Sequence, residues 1–271
     1  MVLDVTTGVP YVFRAFVGAL DEAGDALERA TLPITQHLAW IDDVTVLETD
    51  RVAALRDAET KAVQLFDEAV GRGLVVPGVT ERQLSDQVRD LANEMFGVRK
   101  FWHKRIVRSG VNTLEPYRSN PAALTLGADD IVFFDFGPIF SDWEADVGRT
   151  YVLGDDEHKH RLAADLPVIW AAGRDHFARH PEITGDELFA YVLALIAERG
   201  WGHGGRHAGH LVGEFPHERI DDDQITCYVT FGNQRPMRRL DAGGQPCHGI
   251  LEVHLTDRER GFGSFFEQLL D

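Results

Sequence analysis

A chain of 271 residues, 44% apolar and 26% charged, is long enough to bury a large core and has the composition of a globular protein, not a fibrous or disordered one. Its formal net charge of −17, from 44 acidic against 27 basic side chains, would repel a phosphate backbone and argues against nucleic acid as a partner. Cys227 and Cys247 are too few for a disulfide framework and lack zinc-ligand spacing. With no signal peptide and no apolar run long enough to span a bilayer, the expected setting is the cytoplasm, away from any membrane.

In chain order, residues 1 to about 48 show no strong period and are read as an N-terminal extension, leaving 49–271 as the main domain. From Thr49 the apolar positions Val52, Leu55, Ala58, Val63, Leu65, Phe66 and Val70 recur at helical spacing, predicting a helix over about 51–70 that stops near Gly71 or Gly73. The stretch VVPGVTERQLSDQVRDLANEMFG holds a capping box, Thr80 with Gln83, then an apolar face of Leu84, Val88 and Leu91, then Gly97 as a stop. DDIVFFDFGPIF and WEADVGRTYVLG read as two strands joined by a polar turn near Ser141 and Asp142. A helix over about 160–178 follows, and then the capping-box theme returns as Thr184 with Glu187 ahead of Leu188, Val192 and Leu195. GILEVHL and FGSFFEQLL read as two further strands. The same order of elements on either side of the central strands predicts two related halves within one α+β domain.

Acids inside apolar strands carry the chemical signal. Asp135 sits in FFDFG, Asp146 in EADVG, Glu252 in LEVHL and Glu267 in FFEQLL. A buried carboxylate is costly unless a cation or several hydrogen bonds offset its desolvation. A shared metal centre accounts for all four. Oxygen-rich ligation of this kind suits divalent manganese, iron, cobalt or zinc, and a pair of such ions activates water for hydrolysis.

The run DFGPIFSDWEADVGRT, with its aspartates eleven positions apart, resembles the first two ligand strands of the pita-bread (M24) metallopeptidases, the family of methionine aminopeptidase, aminopeptidase P, prolidase and creatinase. GHLVGEFPHER resembles that family's histidine segment, and LEVHL and FFEQLL its two glutamate strands. The resemblance covers roughly residues 50–271. It implies a pita-bread fold, two pseudo-symmetric α/β halves around a dinuclear metal site, with Asp135, Asp146, His210, Glu252 and Glu267 as ligands. Two divalent ions are implied, manganese first and iron, cobalt or zinc as alternatives, with a metal-bridged hydroxide attacking a peptide carbonyl. It further implies His103 as a substrate-contacting histidine on an early strand, His217 as the group that steadies the tetrahedral intermediate, and Glu252 as ligand and proton shuttle. A homodimer is a further expectation, as is a short peptide or small molecule as substrate.

Around these residues, Arg206, His207 and His254 are candidates for substrate binding, His254 because it shares a strand face with Glu252. His203 and His207 belong to a Gly-rich loop, Arg149 is read as a carboxylate holder or charge balance, and His176, His180 and His248 as surface residues. Two positions depart from the family pattern: Glu252 is followed by Val253 and His254, not proline, and Arg206 stands four positions before His210. The leading expectation is an exopeptidase of the Xaa-Pro aminopeptidase or dipeptidase type. A hydrolase or lyase for a small non-peptide metabolite and a non-catalytic peptide-binding protein are the alternatives.

Overall fold

The computed structural model describes residues 34–214, 225–241 and 244–270. The chain divides into two units, Met1–Thr49 and Asp50–Asp271; the described residues of the first are the opening turns of one long helix. In chain order the described elements are helices α1 (Ile34–Gly71) and α2 (Glu81–Phe96), strands β1 (Ile106–Ser109), β2 (Ile131–Phe136), β3 (Ile139–Phe140), β4 (Trp143–Glu144) and β5 (Val147–Val152), helices α3 (Glu157–Arg179) and α4 (Gly185–Glu198), and strands β6 (Gly202–His203), β7 (Leu211–Val212), β8 (His248–Asp257) and β9 (Phe262–Leu269). Helix α1 begins at Ile34, well before the start near Thr49 that the apolar period gave. Pro33 stands just before it, and no Gly or Pro lies within it until Gly71. Backbone hydrogen bonds extend a helix through such a stretch whether or not its side chains show a period.

Both capping boxes form. Thr80 Oγ1 accepts from Gln83 N at 3.2 Å while Gln83 Oε1 accepts from Thr80 N at 3.0 Å, and Gly97 closes α2 in a left-handed conformation at φ 69°. Thr184 and Glu187 repeat the pattern at 3.2 and 2.9 Å. Each capping threonine also makes an isolated bridge, Thr80 to Thr125 and Thr184 to Pro236. The repeated sequence signal therefore builds a repeated structure.

The strands run antiparallel in the order β1-β2-β5-β9-β8-β6, with β7 paired to β8. The expected hairpin turns at Ser141, which takes φ 53°, but its tip is a separate ladder of β3 with β4. Asp146 falls between β4 and β5, outside both strands. Val132, Phe134 and Phe136 of β2 pack with Leu65, Phe66, Leu84 and Val88 of α1 and α2. Leu251, Val253 and Leu255 of β8 pack with Leu166, Ile169, Leu188 and Val192 of α3 and α4. Phe134 is opposite Arg149, and Val253 opposite Phe266, and the Arg149 guanidinium lies 4.1 Å from the Phe266 ring centre. Both helix pairs thus cover the same side of the sheet. Because side chains alternate along a strand, Asp135, Glu252 and Glu267 are left on the other side. Burial of His248 corrects the surface position expected for it: it sits on β8 opposite Val212, 6% exposed.

At the start of α2, Glu81 is buried, and its carboxylate accepts from Ser109 N (2.6 Å), Ser109 Oγ (3.0 Å), Asn112 Nδ2 (2.9 Å) and Leu124 N (3.1 Å). Removing it strands several buried donors at once. Glu81→Ala is expected to cost about 3 kcal/mol or more in urea unfolding; a loss below about 1 kcal/mol would show that water reaches these donors.

Candidate metal centre

One row of the sheet carries the acids. Asp135 of β2 is opposite Gly148 of β5, Gly148 is opposite Glu267 of β9, and Glu267 is opposite Glu252 of β8. Directly opposed residues share a face, so three carboxylates from three strands converge. Gly148 keeps the row open: a Cβ there would lie 2.4 Å from the Phe265 ring and 3.1 Å from Glu267 Cβ. Asp146 enters two residues before Gly148, from the link between β4 and β5.

Two imidazoles meet Asp146. His103 Nε2 is 3.1 Å from Asp146 Oδ1 and 3.6 Å from Asp135 Oδ1. His210 Nε2 is 3.3 Å from Asp146 Oδ2 and 3.9 Å from Glu252 Oε1. Gly209 lets the backbone reach this point. It takes φ 131°, and a Cβ there would fall 2.1 Å from Ile250 O.

Burial sets the electrostatics. Asp135, Asp146 and Glu267 are 8%, 6% and 2% exposed. Burial pushes the Asp135 carboxyl up to about 7, against the pull of His103. It also raises Glu267 well above the usual range, with Asp146, Glu252 and Asp135 adding their repulsion. Burial works the same way on Asp146, but His103 and His210 outweigh it and hold that carboxyl below its ordinary value. The imidazoles respond in kind: burial opposes their charge, yet the neighbouring carboxylates raise both His103 and His210 to about 9. Glu252 is lowered, because His207 and then His210 overcome its burial. Glu267 Oε2 is buried without a hydrogen-bond partner.

An orphaned carboxylate oxygen among crowded acids is what a cation resolves. The described residues offer two matching groups. His103, Asp135 and Asp146 each present an atom within 4.8 Å of the others, and so do Asp146, His210 and Glu267. Asp146 belongs to both, so these side chains fit two divalent ions sharing one carboxylate.

The remaining candidates separate. His207 Nδ1 lies 3.4 Å from Glu252 Oε1, at the edge of the centre. Arg206 is exposed, and its carbonyl accepts from Thr230 Oγ1. His254 does share the face of Glu252, but it is 8% exposed, with Nε2 2.9 Å from Thr113 O and Gly204 packed on its ring. Burial pushes it down to about 4, so it is a neutral imidazole tied into the wall. His103 lies on the link before β1, not on a strand as expected. Arg149 turns to the helix side, donating to Glu267 O at 2.9 Å and Gln268 Oε1 at 2.6 Å. His217 lies outside the described residues.

Sequence reasoning passed over two features. Trp102 stands between the imidazoles, with ring centres 4.5 Å from His103 and 5.6 Å from His210. Beside His103 opens a cleft of about 590 Å³ lined by Arg99, Lys100, Phe101, Lys104 and Arg105. The basic, aromatic run RKFWHKR, unusual in so acidic a chain, is the signal that marked both.

A buried, register-matched acid row with imidazoles at its edge is the scaffold of a metal centre. The model of metallopeptidase family M24 matches residues 53–242, and the chain belongs to that family. Asp135, Asp146 and His210 fall within the match, while Glu252 and Glu267 lie beyond it and are joined to them by the sheet. Xaa-Pro dipeptidases of Pyrococcus horikoshii and Pyrococcus furiosus are 26% and 28% identical over 181 residues, which is 66% of this chain and 50% of each relative. The chain spans about half the length of these curated relatives. Among solved structures, a prolidase from Thermococcus sibiricus superposes with a TM-score of 0.62 at 22% identity, covering 88% of this chain and 65% of that one. A methionine aminopeptidase from Rickettsia prowazekii gives 0.60 at 16% identity, covering 80% and 91%. The fold is the α+β pita-bread fold that the sequence resemblance implied. No helix among the described residues is long and apolar enough to cross a membrane.

Cation binding to this face predicts a stability linkage. Adding manganese at a hundred times its Kd to chelator-stripped protein is expected to stabilise it by about 2.7 kcal/mol, read as a rise in Tm. An unchanged Tm with manganese, cobalt and zinc alike would count against a metal centre here.

Proposed function

We propose that this chain is a metal-dependent exopeptidase acting on short peptides, Xaa-Pro dipeptides foremost. The register-matched acids on one buried face carry the reading. Asp135, Asp146, His210, Glu252 and Glu267 would hold two divalent ions, manganese first. When bound, such a pair lowers the pKa of water and polarises a carbonyl oxygen. Glu252, with His207 at its Oε1, would hold the proton taken from the attacking water and return it to the leaving amine. His217, assigned from the sequence resemblance, would donate to the developing oxyanion. The names of the Pyrococcus relatives, Xaa-Pro dipeptidase, support the substrate class.

The cationic cleft supports a substrate with a free carboxylate. Lys104 Nζ donates to Ser119 O at 3.0 Å and Asn120 Oδ1 at 3.2 Å and lies 4.6 Å from the Tyr117 ring centre. These neutral contacts leave its charge to meet an anion, and the C-terminus of a dipeptide is the simplest anion a peptidase encounters. The same cleft would suit a small anionic metabolite, which is the second reading.

Incubating the manganese-loaded protein with di- and tripeptides, and following products by mass spectrometry, tests the proposal. Release of N-terminal residues that Asp146→Ala abolishes is the expected result. Turnover of no peptide by a protein that binds two ions would shift the assignment to the metabolite reading. Lys104→Met is expected to raise KM for a free dipeptide about tenfold, the ~1.4 kcal/mol of one charge-assisted contact, while sparing the C-terminally amidated analogue. Equal effects on both substrates would remove the carboxylate from the cleft.

A further inference from the structure

His103 and His210 approach Asp146 from opposite sides and are held alike. His103 Nδ1 lies 2.7 Å from Lys104 O, and His210 Nδ1 lies 2.7 Å from Leu211 O. A carbonyl can only accept, so in both rings Nδ1 carries a proton and Nε2 faces the carboxylates. One Nε2 meets Asp146 Oδ1 at 3.1 Å, and the other meets Asp146 Oδ2 at 3.3 Å. A backbone carbonyl that fixes the distal nitrogen is the usual support of a metal-ligating histidine.

The place of His103 is built into the fold. Trp102 N donates to Gly137 O at 2.9 Å, Phe101 bridges Pro138, and Trp102 Nε1 donates to Ala145 O at 3.0 Å. A Cβ on Gly137 would fall 2.3 Å from both His103 Cδ2 and Trp102 Nε1. The link that carries His103 is therefore stapled to the chain just after Asp135 and just before Asp146. His103 borders the cleft, but its side chain is 6% exposed and its Nε2 is aimed at two carboxylates. His254 supplies the contrast. It is equally buried on the same sheet face, but its Nε2 is taken by Thr113 O.

We propose that His103 is a metal ligand, completing a site with Asp135 and Asp146 as His210 completes one with Asp146 and Glu267. The proposal rests on the reading of these acids as a metal centre and changes its composition: the ion at Asp135 and Asp146 gains an imidazole, so that each ion has one. The role that the sequence resemblance implied for His103, contact with substrate, is replaced. A second nitrogen moves the preference from manganese toward cobalt, zinc or iron.

The test counts imidazoles on the metal without using activity. In the full chain loaded with cobalt(II), each ligated histidine keeps its Nδ1–H, which gives a strongly shifted, solvent-exchangeable proton NMR signal. Two such signals in the unaltered protein are expected, with one lost in His103→Ala and both retained in His254→Ala. By calorimetry, His103→Ala should weaken one of the two cobalt sites by more than the 10–100-fold typical of losing an outer support. A single shifted signal in the unaltered protein would overturn the ligand assignment and leave the metal centre standing. Failure of the unaltered protein to bind cobalt at all would overturn both. Should His103→Ala not fold, the signal count in the unaltered protein decides alone.

Discussion

Carboxylates gathered on one buried face repel each other, and much of the fold answers that repulsion. Asp135 and Asp146 come from one hairpin and Glu252 and Glu267 from another more than a hundred residues later, and burial opposes the ionisation of each. Within the described residues, the answer is positive charge on two imidazoles, one at each oxygen of Asp146. Asp146 is therefore the pivot: its carboxyl is held low while those of Asp135 and Glu267 are pushed up. A group so stabilised as an anion, between two sets of donors, is suited to be shared by two cations.

Holding the face requires rigidity behind it. On the helix side, Arg149 ties β5 to β9 through Glu267 O and Gln268 Oε1. Glu59 of α1 accepts from Leu269 N at 2.6 Å and from Gln268 Nε2 at 3.4 Å, though its own burial raises its pKa. The strand is thus clamped at residues 267–269 from below while the Glu267 side chain points away above. Two helix pairs, the second helix of each begun by a threonine capping box, give that underside its packing. Small residues leave the upper side open: glycine at 148 keeps the acid row clear, and glycines at 137 and 209 let Trp102 and the histidine segments approach.

The chain's acidity and its cationic cleft answer different needs. A net charge of −17 favours the approach of divalent ions and disfavours anions. Arg99, Lys100, Lys104 and Arg105 gather positive charge beside His103, with Arg105 3.3 Å from Asp86. Under the proposed peptidase function, the two signs would serve a substrate that brings a carbonyl to cations and anchors a negative group nearby.

The sequence by itself determined the local elements, because their signals are local. The capping boxes at Thr80 and Thr184, the stop at Gly97 and the turn at Ser141 depend on residues within a few positions of one another. It also singled out Asp135, Glu252 and Glu267, because a carboxylate inside an apolar strand is anomalous wherever the strand lies. The family resemblance supplied the rest of the expected ligand set. What only the tertiary structure decided depends on pairs distant in sequence. His248 reads as a surface residue until β7 pairs with it. His254 shares a face with Glu252, as alternation requires, but the carbonyl of Thr113 and the backbone of Gly204 close over it. His103 stands in a basic, aromatic run for which the resemblance implied an early strand and contact with substrate. Only the folding of that run against Gly137 and Ala145 turns its imidazole toward Asp146, a contact set by packing across 43 positions of chain.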